Sequence, residues 1–275
     1  MQTLDAPSDD LSWLLPAHPS WPRNVKIHMS TRLGGYSSGP YASLNLGDHV
    51  GDDSLDVQKN RAQYQRLVGV PTVYLKQVHQ SDVVWIKPTT PDATQADVCL
   101  TQHPRLACTI MVADCLPVLM TNTQGTLVGA AHAGWRGLAG YGCKDGLGVI
   151  ENLMVALQAQ AENLGIGNSQ WLAWLGPCIG PKHFEVGDEV RDHFMVDRLA
   201  DSYFKPSPHA PAGKWLANLA GLAQLKLKQR GVKAILGNDA GLLGDRWCTH
   251  TQSKLFYSHR RDKVSGRLAA SIWLS

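Results

Sequence analysis

The sequence predicts an α+β fold organised as one compact domain. Short β-branched or apolar runs recur along the chain, and longer stretches with helical spacing fall between them. The two do not alternate in a clean βαβαβ rhythm, so mixed layering suits the pattern better than a doubly wound parallel sheet. No internal repeat, linker or low-complexity segment divides the 275 residues, and 44% hydrophobic content is enough for a sizeable core.

The elements follow in order. MQTLDAPSDDLSWLLPAHPSW has early acidic residues and no basic-then-apolar leader pattern. VKIHMS (25–30) alternates like a strand, and TRLGGYSSGPYASLNLGDHVGDD follows as a loop dense in Gly, Ser and Asp, of the long kind that often carries function. SLDVQKNRAQYQRLVG spaces Leu55, Tyr64 and Leu67 among polar residues, with Asp52 or Asp53 available as N-cap; this predicts an amphipathic helix carrying Arg61. Strand-like runs cover 73–78, 83–86, 98–101, 106–112, 117–121 and 126–131, and the NTQG turn joins the last two as a hairpin. GLGVIENLMVALQAQAENLG and WLANLAGLAQLKLKQRG read as helices, each ending near a glycine. WLAWLG, AILGN, KLFYSHRR and LAASIWL read as strands.

Charge and cysteine usage narrow the function. A net charge of +3 with scattered basic residues gives no polybasic surface for nucleic acid or membrane, so small substrates are expected. No run of about 18 apolar residues occurs. The six cysteines are widely spaced without CxxC pairs, as reduced thiols in a cytoplasmic protein would be.

Three apolar or β-rich runs are broken by a residue that binds metals or protons: QVH at His79, ADC at Cys115 and AAHAGW at His132. Buried polar groups of this kind carry a desolvation penalty, so a metal, a partner or a pocket should compensate. Two histidines and a cysteine make a three-ligand set that leaves a fourth position for water, as catalytic zinc sites do. The spacings of 36 and 17 residues match no local zinc-finger pattern, and a strand-end His or Cys is more often a packing residue. The same residues also permit Cys115 as a thiolate nucleophile, His132 as its base and Asp114 as the orienting group. Arg32, Arg61, Arg136, Arg260 and Arg267 lie in or beside these segments as candidate anion clamps, with Arg61 and Arg32 leading for phosphate. The glycines of HAGWRGLAGYG and GPCIGP would let the backbone approach a ligand, and Glu185 is a carboxylate available for acid or base work.

STRLGGYSSGPYASLNLGDHVGDD, Asn60-Arg61, LKQVHQSDV, QADVCLT, ADCLPVLM, AAHAGWRGL, LGPCIGPKHFEVGDEV and YSHRRDKVSGRLAASIWL together closely resemble the YfiH family. Its members are also called laccase-domain proteins, polyphenol oxidase or peptidoglycan editing factor. The resemblance runs in order from about Val25 to Leu274. It implies one catalytic domain over residues 1–275, with β-sheets covered by helices. It further implies a metal, zinc with copper as the alternative, held by His79, Cys115 and His132. It extends to Cys115, His132 and Asp114 as catalytic residues, and to Arg32, Asn45, Arg61 and Arg136 as the set that binds substrate or phosphate.

The family is associated with phosphorolysis of adenosine, inosine and methylthioadenosine, with adenosine deamination, and with removal of mis-incorporated serine from a cell-wall precursor. The implied function is therefore that of a purine nucleoside phosphorylase and adenosine deaminase acting on nucleoside and phosphate. The alternative is an amide hydrolase using Cys115 and His132. A multicopper oxidase is disfavoured, because the 11 histidines include no HxH pair. DRWCTHTQ, with His250, and SHRRD, with His259, depart from the family pattern in the substrate-facing region.

Overall fold

Two mixed sheets lie face to face in the computed structural model, which describes residues 18–208, 210–242 and 244–275; residues 1–17 of the N-terminal stretch lie outside that range. One sheet has four strands in the order β1 (Val25–Met29), β13 (Leu268–Leu274), β5 (Ala107–Val112) and β2 (Thr72–Tyr74). The other has six, in the order β12 (Ala234–Gly237), β8 (Trp171–Leu175), β6 (Leu116–Asn122), β7 (Val128–Ala133), β4 (Val98–Thr101) and β3 (Val83–Trp85). Both are mixed, since β2 runs parallel to β5, β3 to β4 and β12 to β8, while the remaining pairings are antiparallel. A small third sheet joins β10 (Phe204–Pro206), β11 (Lys214–Ala217) and β9 (Glu185–Gly187).

Strand periodicity divides the core into three layers. Cys108, Ile110 and Val112 of β5, with Leu268, Ala270 and Ile272 of β13, face Leu119, Val128 and Trp174 across the space between the two large sheets. Their neighbours Ala107, Met111, Ala269 and Trp273 point outward, where Tyr64 and Val68 of α1 (Ser54–Val68) cover them. Leu116, Val118 and Met120 point the other way, onto α3 (Val149–Asn163) and α5 (Leu219–Gln229), with the short helices α2 (Trp135–Ala139) and α4 (Asp188–Phe194) in the same cluster. The order is thus helix, sheet, sheet, helix. Strands covered on both faces need apolar side chains at every position, so they read as continuous runs in the sequence.

The predicted hairpin forms, with β6 and β7 paired from Leu116↔Ala133 to Thr121↔Val128. Asp53 caps α1 by accepting from the amides of Leu55 and Asp56. Leu55 and Leu67, expected on the apolar face of that helix, are exposed; Val57, Asn60, Tyr64 and Val68 are the buried positions. KLFYSHRR is not a strand: Ser258 caps a short helix, α6 (His259–Asp262), and turns precede it. Trp215 to Ala217 pair in β11, and α5 starts only after Asn218, whose side chain accepts from the Gly221 amide. The 73–78 run is a strand only at its start, because the chain leaves β2 to cross from the four-stranded to the six-stranded sheet. Among the described residues no helix is long and apolar enough to cross a membrane.

The loop after β1 is pinned by α1. Asn60, fully buried, accepts from the Tyr36 amide and donates to Ser37 Oγ and to the carbonyls of Ser43 and Asn45. Truncating Leu119, buried completely between the two large sheets, leaves a cavity there. Leu119→Ala is expected to lower unfolding free energy by about 2–5 kcal/mol in urea titrations.

Candidate metal centre and cleft

Each of the three predicted ligands stands where the chain enters or leaves the six-stranded sheet. His79 lies in the crossing between β2 and β3, Cys115 in the tight turn between β5 and β6, and His132 near the end of β7, opposite Pro117. Their ligand atoms all fall within 4.8 Å of one another. Cys115 Sγ is 3.8 Å from His79 Nε2, and the two imidazoles meet edge to face with centroids 4.7 Å apart. His132 is buried, Cys115 half-buried and His79 exposed, so the group opens to one side.

Asp97, fully buried ahead of β4, holds the arrangement. Its carboxylate accepts from the amides of Val78, His79 and Gln80, and from His132 Nδ1 at 2.8 Å. The three amide bonds stabilise His79 in the left-handed region, at φ 60, which a non-glycine residue adopts only under constraint. The fourth bond occupies Nδ1 of His132 and leaves Nε2 available as a donor, the arrangement that usually supports a metal-ligating histidine. Gly134 leaves room for the group: a Cβ there would crowd it, at 3.0 Å from both Cys115 Sγ and His79 Cδ2.

Asp97 was not among the predicted site residues. The signal that exposed Cys115 also applies to it, since QADVCLT puts a carboxylate at the edge of an apolar strand. Asp114 does not orient His132. At φ 88 in the turn before Cys115, it accepts from Thr249 Oγ1 and from the Arg260 amide, both at 2.6 Å. It therefore ties the late CTH and SHRR segments to the turn that carries Cys115.

The charges within the group act on one another. Burial alone would push the Cys115 thiol up, but His132 and then His79 pull it down to about 6. Burial would lower His132, yet Cys115 and Asp97 raise it to about 9. Asp97 is likewise held below the usual carboxylate range, where bonds from His132, Gln80 and Val78 outweigh the effect of burial. A preformed donor set of two nitrogens and a sulfur, open on one side, fits zinc or a soft copper ion.

The group lies in a cleft of about 530 Å³. Met111, Trp135, Ile179, Phe184 and Leu219 give the cleft an apolar lining, and His49, His259, Arg260, Lys263 and Arg267 supply basic groups. None of the four residues expected to bind substrate or phosphate contributes to that lining. Arg32 donates to the carbonyls of Ala42 and Ser253 and stacks over Tyr257. Arg136, exposed, lies over the Trp135 ring. Asn45 and Arg61 act on the cleft at one remove: Asn45 Oδ1 accepts from the Arg267 amide, and Arg61 pairs with Asp48 beside His49. Glu185 is exposed in β9 and accepts from Ser207 Oγ.

Fold and site together define a class of single-domain α+β protein in which sheet crossings gather two histidines and a cysteine into a possible metal site at a cleft. The chain belongs to the family described as multi-copper polyphenol oxidoreductase laccase, matched over residues 26–275. It is 42% identical over 261 residues to purine nucleoside phosphorylase YfiH of Escherichia coli K12, covering 93% of this chain and 97% of the relative. Purine nucleoside phosphorylase PA4543 of Pseudomonas aeruginosa is 41% identical over 264 residues, covering 96% and 98%. Among solved structures, Neisseria meningitidis protein NMB0706 superposes with a TM-score of 0.77 at 40% identity, covering 93% of this chain and 96% of that one. YlmD from Geobacillus stearothermophilus gives 0.73 at 28% identity, covering 94% of each.

Two outcomes test the site. Asp97→Asn is expected to weaken zinc binding by about 10–100-fold in chelator competition, because His132 loses its ionic support. In chelator-treated protein, iodoacetamide alkylation of Cys115 is expected to persist as pH falls until about 6, where the thiolate becomes protonated. His132→Ala should move that inflection back up toward the ordinary thiol value.

Proposed function

We propose that this chain is a zinc-dependent, cytoplasmic enzyme of purine nucleosides that phosphorolyses adenosine, inosine and methylthioadenosine and also deaminates adenosine. The observation that carries the proposal is the His79–Cys115–His132 group, braced by Asp97, in a cleft with both apolar and basic lining. The relatives' names, purine nucleoside phosphorylase, support it for a chain this similar along nearly its whole length. All six cysteines are unpaired, in keeping with a reducing compartment.

Zinc held by the three ligands would supply Lewis acidity at a position open to the cleft. The protein's own groups account for binding and orientation. Trp135, Phe184 and Ile179 offer apolar area to a purine, and the basic wall offers charge to an anionic co-substrate. In phosphorolysis a phosphate oxygen bonds to C1′ of the ribose as the bond from C1′ to N9 breaks. The purine leaves with the electron pair and gains a proton, matching the one that monohydrogen phosphate gives up. Deamination of adenosine consumes water at C6 and releases ammonia.

The family description names copper, and a cysteine–histidine set also suits copper. Among the described residues only one group of three donors is found, whereas a multicopper oxidase needs several centres. A second function has its own supporting observation. The sequence Asp97–His132–Cys115 forms a carboxylate–imidazole–thiol relay suited, without metal, to amide hydrolysis of a cell-wall precursor.

Metal-quantified protein incubated with adenosine and phosphate is expected to yield adenine and ribose 1-phosphate, with inosine and ammonia as the second product pair. Chelation should stop turnover and zinc should restore it. Cys115→Ser and His79→Ala are each expected to lower kcat/KM by about 100-fold or more, since the ligand set is broken. Amide hydrolysis that survives chelation would instead support the thiol hydrolase.

A further inference from the structure

Arg260 and Arg267 lack the counter-charge that three other arginines of the fold have. Arg61 lies 3.1 Å from Asp48, Arg191 2.6 Å from Asp201 and Arg261 2.7 Å from Asp262. Among the described residues, neither Arg260 nor Arg267 has a carboxylate within ion-pair distance. Yet both are half-buried and both line the cleft. Lys263, from the same segment, adds a third cation to that wall.

Each guanidinium is fixed through one nitrogen. Arg260 Nη1 donates to the carbonyls of Glu185 and His183, and Arg267 Nη1 to those of Ser265 and Gly266. Nε and Nη2 of both have no hydrogen-bond partner among the described residues. Main-chain contacts fix the two residues as well: Arg260 N donates to Asp114, and Arg267 N to the fully buried Asn45. The Arg267 stem packs so closely on Gly47 that a Cβ there would come within 2.7 Å of its Cγ. Burial holds the Arg267 guanidinium below its ordinary pKa, while Cys115 and Asp114 act in the opposite sense. Partly desolvated cations with spare donors and no carboxylate are compensated by an anion from solution. A planar fork suits phosphate oxygens, and two forks with an ammonium suit a dianion.

We propose that Arg267 and Arg260, with Lys263, form the subsite for a phosphate dianion beside the His79–Cys115–His132 group. The role of that dianion as the attacking orthophosphate rests on phosphorolysis being the reaction; the binding site itself does not. Asp114 links the two parts, since its carboxylate holds the Arg260 amide while the next residue is Cys115.

The test is calorimetric titration of orthophosphate, and separately of adenosine 5′-monophosphate, into zinc-loaded wild type, Arg267→Met and Arg260→Met, with phosphate and adenosine KM measured alongside. Wild type is expected to bind orthophosphate. Arg267→Met should weaken that binding by about tenfold or more, the loss of a charge-assisted contact. KM for phosphate should rise in step, while KM for adenosine, bound zinc and Tm stay near wild type. Arg260→Met carries the same expectation and serves if Arg267→Met does not fold. Orthophosphate binding that depends on these arginines in a protein that turns over no nucleoside would support the subsite and overturn phosphorolysis alone. Absence of orthophosphate binding to wild type, or unchanged affinity in both variants, would overturn the subsite. Markedly tighter binding of the monophosphate would overturn orthophosphate as its occupant.

Discussion

The buried carboxylate of Asp97 is the constraint on which the rest of the site depends. A carboxylate out of water is tolerated only when its charge is met, and here four donors meet it: three successive amides of residues 78 to 80 and the imidazole of His132. One side chain thereby fixes the backbone that presents one histidine and the ring orientation of another. Removing it would leave the loop at His79 without the bonds that hold its left-handed conformation, so the geometry of the ligand group and the local fold are a single energetic unit.

The two-sheet sandwich explains why the group forms where it does. The chain passes from the four-stranded to the six-stranded sheet at 75–82 and again at 113–115, and both crossings are irregular backbone at the edge of the interior. Such segments can place polar side chains without breaking a ladder, whereas the strands on either side are occupied by packing on both faces. His79 and Asp114 have positive φ at these two crossings, so strain is concentrated beside the ligands and is offset by the hydrogen bonds to Asp97 and from Thr249 and Arg260.

Electrostatics divides the cleft into two regions. On one side Cys115 and His132 stabilise one another's charged forms, so a metal ion would displace the His132 proton on binding. On the other, Arg260, Lys263 and Arg267 line the cleft with no carboxylate within ion-pair distance among the described residues, whereas Arg61, Arg191 and Arg261 are paired. The late segments that carry Thr249 and Arg260 are attached to the turn before Cys115 through Asp114.

The sequence by itself determined the α+β class, most strands, the β6–β7 hairpin and the helices α3 and α5, and it singled out His79, Cys115 and His132, which the fold brings together. Each leaves a local mark: an apolar run, a helical spacing, or a polar residue interrupting a core strand. It misjudged KLFYSHRR and the buried face of α1, because tyrosine, phenylalanine and leucine carry the same apolar signal in a turn, on an exposed face or in a strand. Only the tertiary structure decided that Asp97 rather than Asp114 braces His132, and that Arg260 and Arg267 reach the cleft while Arg32, Arg61 and Arg136 do not. Those assignments rest on contacts between residues tens to hundreds of positions apart, such as Arg267 with Asn45, and a hydrogen bond at that separation leaves no periodicity in the chain to read.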